Sequence, residues 1–192
     1  MTHERTMYWW VLCDWGRFLW PMTSHPTKLV VEPEEILDQG FNLESTRFSS
    51  DEEDEDGRRL PDFGSYQSFA FFMSLRAVEA LRDTFTGNGR FLKTHWDGLV
   101  YHLAVVDREL DLFDYERSTY TRWGLYDDLK RDVWEIDRVI LRTPPPDCPD
   151  IFRLKGHKSV HLNIIVSDRF KRIYEENGFT GLLFHRALLP LN

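Results

Sequence analysis

The sequence contains few cysteines. Its 192 residues include two, Cys13 and Cys148, which lie far apart in the chain. Zinc sites use closely spaced cysteine or histidine ligands, and small disulfide-rich domains use many cysteines, so the sequence indicates neither. We expect both thiols to behave as small buried apolar groups.

Long apolar runs are also missing. The longest run near the N-terminus, Met7–Cys13, is followed by Asp14 and Arg17, whereas a membrane-spanning helix needs about 20 consecutive apolar residues. The run is also short for a secretion signal, and bulky Leu12 does not suit a signal cleavage site. The sequence therefore predicts a cytoplasmic protein that does not bind membranes.

Motifs for the commonest enzyme chemistries are absent from the sequence. It has no glycine-rich dinucleotide or phosphate loop, no nucleophile elbow and no paired-histidine zinc motif. His157 and His161 would align two metal ligands if they lay on a helix. Gly156 and the apolar run Val160–Val166 favour a loop leading into a strand instead. We predict no metal and no cofactor.

The composition is that of a globular protein. Hydrophobic residues make up 42% of the chain, charged residues 29% and aromatic residues 15%, and the length suits a single domain over residues 1–192. Aromatic and β-branched runs bounded by glycine, proline or serine predict strands. Among them are Tyr8–Cys13, Ser68–Met73, Phe91–Trp96, Leu99–Val106, Val133–Leu141, Ile151–Leu154, Leu162–Val166 and Gly181–His185.

Short helices are predicted in three places. One covers Glu32–Gly40, and the other two begin after Ser74 and Ser167, which can cap a helix, and end near Gly87 and Gly178. With seven or eight strands and about three short helices, we predict an α+β fold with a mostly antiparallel or mixed sheet. The order of strand, cap, helix, glycine and strand occurs twice, which reflects either an internal repeat or chance similarity.

Charge is distributed unevenly along the chain. The net charge is -8, but residues 32–62 alone carry -9 and the remaining residues +1. The acids at the centre of this region are Asp51, Glu52, Glu53, Asp54, Glu55 and Asp56. Such a block repels itself, so we predict an acidic flexible loop over residues 45–60, which is either simply solvated or docks on a cationic partner. The overall acidity argues against nucleic acid as the partner.

One small cluster offers both an acid and a base. His95, Asp97 and His102 lie close together in the sequence, and general acid-base catalysis needs two such groups in one cleft. The alternative interpretation is a β-hairpin, because Asp97-Gly98 is a typical two-residue turn between strands.

Parts of the sequence resemble a known protein family. One is Val106–Ser118, and the others form an ordered series of IFRLKG at Ile151–Gly156, IVSDRF at Ile165–Phe170 and NGFTGL at Asn177–Leu182. Together they resemble the immunity protein eleven family of bacterial polymorphic-toxin immunity proteins. The resemblance covers roughly residues 60–186 and does not include the first sixty residues.

This resemblance implies a function in binding. A member of such a family is a cytoplasmic bacterial protein that is not an enzyme and that protects its cell by covering the active site of a cognate toxin. The charge distribution adds a separate hypothesis, in which Asp51–Asp56 contact a basic active-site cleft of the toxin. Two alternatives remain open: a small enzyme that uses His95, Asp97 and His102, and an adaptor or chaperone for a secreted effector.

Overall fold

The structure, a computed structural model, describes residues 6–14, 42–43, 60–66, 70–96, 99–122, 133–155 and 163–189. The predicted acidic loop, apart from Leu60, and the predicted helix over residues 32–40 lie outside these ranges. No helix among the described residues is long and apolar enough to span a membrane.

Twelve strands and two helices are present in the described residues. The strands are β1 (Tyr8–Cys13), β2 (Asn42–Leu43), β3 (Phe63–Tyr66), β4 (Ala70–Ser74), β5 (Gly89–Trp96), β6 (Leu99–Val106), β7 (Glu109–Leu110), β8 (Thr119–Arg122), β9 (Val133–Arg138), β10 (Ile151–Leu154), β11 (Ile164–Ser167) and β12 (Leu182–Ala187). The helices are α1 (Leu75–Phe85) and α2 (Asp168–Glu176).

The α+β class with mostly antiparallel sheets is confirmed, but the predicted number of strands is wrong. Twelve strands replace the seven or eight predicted, because strands as short as β2 and β7 have no hydrophobic pattern that a sequence window can detect. The predicted strand Val133–Leu141 ends at Arg138. Beyond it the chain changes partners, and Leu141 forms a bridge with Phe113.

Both helices begin and end at the residues that the sequence indicated. The Ser74 hydroxyl accepts a hydrogen bond from the Ala77 amide at 3.4 Å, and the Ser167 hydroxyl accepts one from the Phe170 amide at 3.3 Å. Each helix is followed by a glycine with a positive φ, which is 74° at Gly87 and 58° at Gly178. Residues that carry a Cβ atom rarely adopt this backbone conformation, so a glycine at this position ends a helix at little cost in conformational energy.

The strands form two five-stranded sheets and one two-stranded sheet. One large sheet has the order β12-β1-β11-β10-β7 and the other has the order β2-β5-β6-β4-β3, while β8 and β9 pair with each other. All pairs are antiparallel except β10 with β7 and β2 with β5. The N-terminal strand β1 is therefore inserted between the two last strands of the chain.

The two large sheets contain the same unit of four strands and one helix. The first unit consists of β3, β4, α1, β5 and β6, and the second of β10, β11, α2, β12 and β1. In each unit the helix connects two parallel strands, and an antiparallel strand lies between them. The register also matches, since Ser74 pairs with Tyr101 as Ser167 pairs with Tyr8. The repeat suspected from the sequence thus has a structural counterpart.

The core lies where the two units meet. One cluster of buried side chains joins both helices to one face of each large sheet, and it includes Val11, Phe63, Phe71, Leu81, Val166 and Phe170. A second cluster covers the opposite face of the sheet that contains β1, and it includes Tyr8, Trp10, Phe113, Ile136, Leu141 and Phe152. The helices and the β8-β9 segment therefore lie on opposite sides of that sheet.

Candidate functional site

The acids Asp51–Asp56, which the sequence offered for partner binding, lie outside the described residues, and so does Asp97. His102 lies on β6 directly opposite Lys93 of β5. The His95 backbone pairs with Val100 on the same two strands. A catalytic site formed by His95, Asp97 and His102 therefore stays a prediction.

The hairpin interpretation of the same segment is confirmed. β5 and β6 pair in an antiparallel register over their whole length, and Trp96 lies opposite Leu99. This register leaves a two-residue connection at the Asp-Gly step, as the turn signal predicted.

The first unit holds a buried carboxylate beside the start of its helix. Asp62, immediately before β3, accepts hydrogen bonds from the Ser74 hydroxyl at 2.8 Å and from Arg76 Nε and Nη2 at 2.7 and 2.5 Å. It also accepts hydrogen bonds from the Thr180 amide and hydroxyl, both at 3.1 Å. Burial by itself would raise the pKa of Asp62, but the donors, chiefly Arg76 and Ser74, outweigh it and lower the pKa.

The second unit repeats this arrangement. Asp150, immediately before β10, accepts hydrogen bonds from the Ser167 hydroxyl at 2.5 Å and from Arg169 Nη1 at 2.7 Å. In both units an arginine on the first turn of the helix and the N-cap serine bind the same carboxylate. We call these two arrangements the carboxylate clamps. The clamps were not predicted from the sequence, although the two repeats share the spacing of serine and arginine.

The Asp62 clamp also joins the two units to each other. Thr180 belongs to the turn that precedes β12 of the second unit, and its carbonyl oxygen accepts a hydrogen bond from the Phe63 amide at 3.0 Å. The Arg76 guanidinium lies 4.7 Å from the ring centroid of Phe179 and donates a hydrogen bond to the Asn177 carbonyl oxygen at 3.2 Å. These groups are therefore used to hold the fold together.

Several side chains on the outer flank of α2, in the second unit, contact one another. The Lys171 ammonium lies 4.6 Å from the Trp9 ring and 5.7 Å from the Phe184 ring. It also forms an ion pair with Glu175 one turn later. The Trp9 indole in turn donates a hydrogen bond to Asp168 at 2.7 Å. Lys171 and the Trp9 indole on this flank thus both have partners.

The corresponding flank of α1 in the first unit differs in charge. The matching registers place His102 where the second unit has Trp9, and Lys93 where it has Arg186. Counting from the N-cap serines places Arg82 where the second unit has Glu175. The acid of the second unit is therefore replaced by a base.

Two basic residues of the first unit, Arg82 and Lys93, act electrostatically on His102. Burial lowers the pKa of His102, and the charges of Lys93 and Arg82 lower it further. The Nδ1 atom of His102 is buried and has no hydrogen-bond partner among the described residues. Within the described part of the chain, Arg82 and Lys93 form no ion pair.

Exposed apolar side chains lie on the same faces of α1 and β6 as these basic residues. Leu75 is two turns before Arg82 on the same flank of α1 and is 45% exposed. Val100, two residues before His102 on β6 and therefore on the same face, is 39% exposed. We call Leu75, Arg82, Lys93, Val100 and His102 the cationic shelf. Exposed apolar groups beside charged ones are typical of surfaces that bind other proteins.

The described residues offer little for metal binding or nucleophilic catalysis. They contain no group of three or more metal-ligating side chains. Cys13 is buried, and burial raises the pKa of the Cys148 thiol, which keeps it in the protonated, poorly nucleophilic form. The cationic shelf is therefore the candidate functional site among the described residues.

Comparison with known proteins does not place the chain in a family. No protein-family model matches the sequence, and no curated protein matches it.

Proposed function

We propose that this protein binds a cognate bacterial toxin in the cytoplasm and neutralises it by covering its active site. In this function the protein needs no catalytic residue and no cofactor. Its effect depends on how tightly it holds the toxin.

The observation that carries the proposal is the cationic shelf. It combines cations that lack ion-pair partners in the described residues with exposed Leu75 and Val100. A protein partner can bury the apolar groups and neutralise the charges in a single contact.

The sequence resemblance supports the same function. Its three ordered segments correspond to β10, to the junction of β11 with α2, and to the turn before β12. The second of them contains Ser167 and Arg169 of the second carboxylate clamp. These segments form the framework of the second unit, and the resemblance to the family lies in that framework. They do not identify the docking surface.

Neutralisation by binding alone requires high affinity. A nanomolar dissociation constant corresponds to about 12 kcal/mol of binding free energy, and an interface of about 1,600 Å² with a few buried anchors can supply it. The acids Asp51–Asp56 provide a second contact in this proposal, on the basic cleft of a toxin that acts on nucleic acid.

The test is co-expression with the product of the adjacent gene, with cell survival and a co-purified complex as the two measurements. We expect cells that carry both genes to survive and the two proteins to purify together. Binding without protection would instead identify an adaptor or chaperone. Turnover of a substrate by the isolated chain, lost on replacement of His102 by alanine, would identify an enzyme.

The role of the acidic run is tested separately by replacing all six acids with serine or asparagine. If Asp51–Asp56 contact the toxin, association slows and its salt dependence weakens, because steering by opposite charge acts mainly on the association rate. An unchanged rate and salt dependence would exclude the run from the interface.

A further inference from the structure

We propose that the cationic shelf binds an acidic segment of the partner protein, with carboxylates near Arg82, Lys93 and His102 and an apolar side chain against Leu75 and Val100. This inference rests on the proposed function, because it specifies the chemistry of the partner that the protein recognises.

The shelf carries exposed positive charge. Arg82 and Lys93 are both exposed and form no ion pair in the described residues. Glu79, one turn before Arg82 on α1, forms no ion pair with it in the part of the chain that the structure describes. Bringing carboxylates to this surface would remove the mutual repulsion of the cations.

The two repeated units differ in charge at the position of Arg82. At the position of Arg82 the second unit has Glu175, which pairs with Lys171, and Lys171 in turn packs over the Trp9 ring. The same fold therefore accommodates an ion pair on this flank. In the first unit Val78 and Arg82 stand at the positions of Lys171 and Glu175, so the ion pair is absent there and a carboxylate of a partner protein can pair with Arg82.

An acidic peptide fits the shelf better than other anions do. The apolar part of the shelf, Leu75 and Val100, offers contact area that a free phosphate ion would leave exposed. The chain as a whole has a net charge of -8, which opposes binding of a long polyanion such as RNA. A short acidic peptide segment with one apolar side chain matches both features.

The probe for the test is a fluorescein-labelled peptide of alternating aspartate, glutamate and leucine, and the measurement is fluorescence anisotropy with the full-length chain. The variant carries R82E and K93E together. We expect its dissociation constant to rise by at least about tenfold. The matched control is R186E, which reverses the charge at the position of the second unit that corresponds to Lys93, and we expect its affinity for the peptide to be unchanged.

A second measurement uses the unaltered protein and so does not depend on the folding of a variant. In NMR spectra, the acidic peptide should shift the His102 imidazole resonances, whereas a peptide with asparagine and glutamine in place of the acids should not. Equal affinity of R82E/K93E and wild-type protein, or an unmoved His102 signal at saturating peptide, would overturn the inference. Preferential binding of an RNA oligonucleotide at the shelf would overturn it as well.

These results are distinguishable from failure of the proposed function. If the peptide binds at the shelf but co-expression gives no protection, the acidic-segment site stands and toxin neutralisation fails. If the protein protects cells and R82E/K93E protects equally well, neutralisation stands and the shelf is not the docking site.

Discussion

Arg76 binds Asp62 through two side-chain hydrogen bonds, from Nε at 2.7 Å and from Nη2 at 2.5 Å. Arg169 binds Asp150 in the same place of the second unit. In each case the carboxylate precedes the first strand of the unit and the arginine follows the N-cap serine of the helix. The repeat therefore extends from the strand order to individual polar contacts, and it links the start of each unit to the start of its helix.

The Asp62 clamp should contribute strongly to stability. We expect D62N to lower the free energy of unfolding by about 2–3 kcal/mol, because hydrogen bonds to a charged group contribute about 1.5–3 kcal/mol and Asp62 is buried. Urea denaturation followed by tryptophan fluorescence measures the change. The control is D111N, which removes the exposed ion pair with Arg142 and should cost less than about 1 kcal/mol. Equal losses in the two variants would contradict a special role for the clamp.

The pKa of His102 should respond to its basic neighbours. Burial and the charges of Lys93 and Arg82 hold it below the ordinary value of 6.5, so K93Q should raise it, whereas K155Q in the second unit should leave it unchanged. An NMR titration of the His102 imidazole measures both variants. A titration curve that K93Q does not move would show that the charge of Lys93 does not act on His102.

The same pKa shift predicts a dependence of stability on pH. Because the folded-state pKa of His102 lies below 6.5, the unfolded chain takes up this proton at a higher pH than the folded chain does. The free energy of unfolding should therefore fall as the pH decreases from about 6.5 to the folded pKa. H102Q should weaken this dependence, and urea denaturation over that range of pH tests it.

Gly181 should tolerate no side chain. Its φ is 104°, and a Cβ atom there would clash with the Phe63 carbonyl oxygen and lie 2.8 Å from the Pro61 Cβ. We expect G181A to destabilise the protein by more than about 3 kcal/mol, since backbone would have to move. G178A is the matched control, because Gly178 also has a positive φ but nothing lies within 4 Å of its Cβ position. This control should cost about 1 kcal/mol, and similar losses for the two variants would refute the steric argument.

The position of β1 predicts that the chain can be circularly permuted. Tyr8 pairs with Ala187 of β12, so a short linker can join the two strands directly. In the permutant, a glycine-serine linker connects Leu189 to Thr6, and the chain is opened after Asp14. We expect this permutant, which begins at residue 15, to keep the circular dichroism spectrum and to melt within about 5 °C of the parent. A permutant opened inside β11 is the control and should not fold. Loss of structure in the first permutant would contradict the assignment of β1 to the second unit.

Local features of the chain were predictable because they depend on neighbouring residues. Ser74 and Ser167 cap helices with their own side chains, and Gly87 and Gly178 end helices through their own φ angles. The hairpin between β5 and β6 follows from its short turn for the same reason. The very short strands escaped prediction, because each is defined only by the partner to which it bonds.

The candidate site was predictable only in part. His102 was recognised in the sequence, but as a possible partner of Asp97. Its placement beside Lys93 depends on the register of two strands, and its interaction with Arg82 depends on how α1 packs over them. A sequence pattern reports neither of these.

The sequence by itself determined the α+β class, the helix ends and the repeated order of strand, cap, helix and glycine, because capping, turn formation and hydrophobic periodicity act over a few residues. Tertiary structure alone decided that β1 completes the second unit and that Asp62 bonds Thr180, 118 positions along the chain. It also decided that Lys171 and Glu175 pair in one repeat, whereas Arg82 and Lys93 of the other form no ion pair among the described residues. Such pairings depend on chain closure and packing between distant segments, which local preferences do not encode.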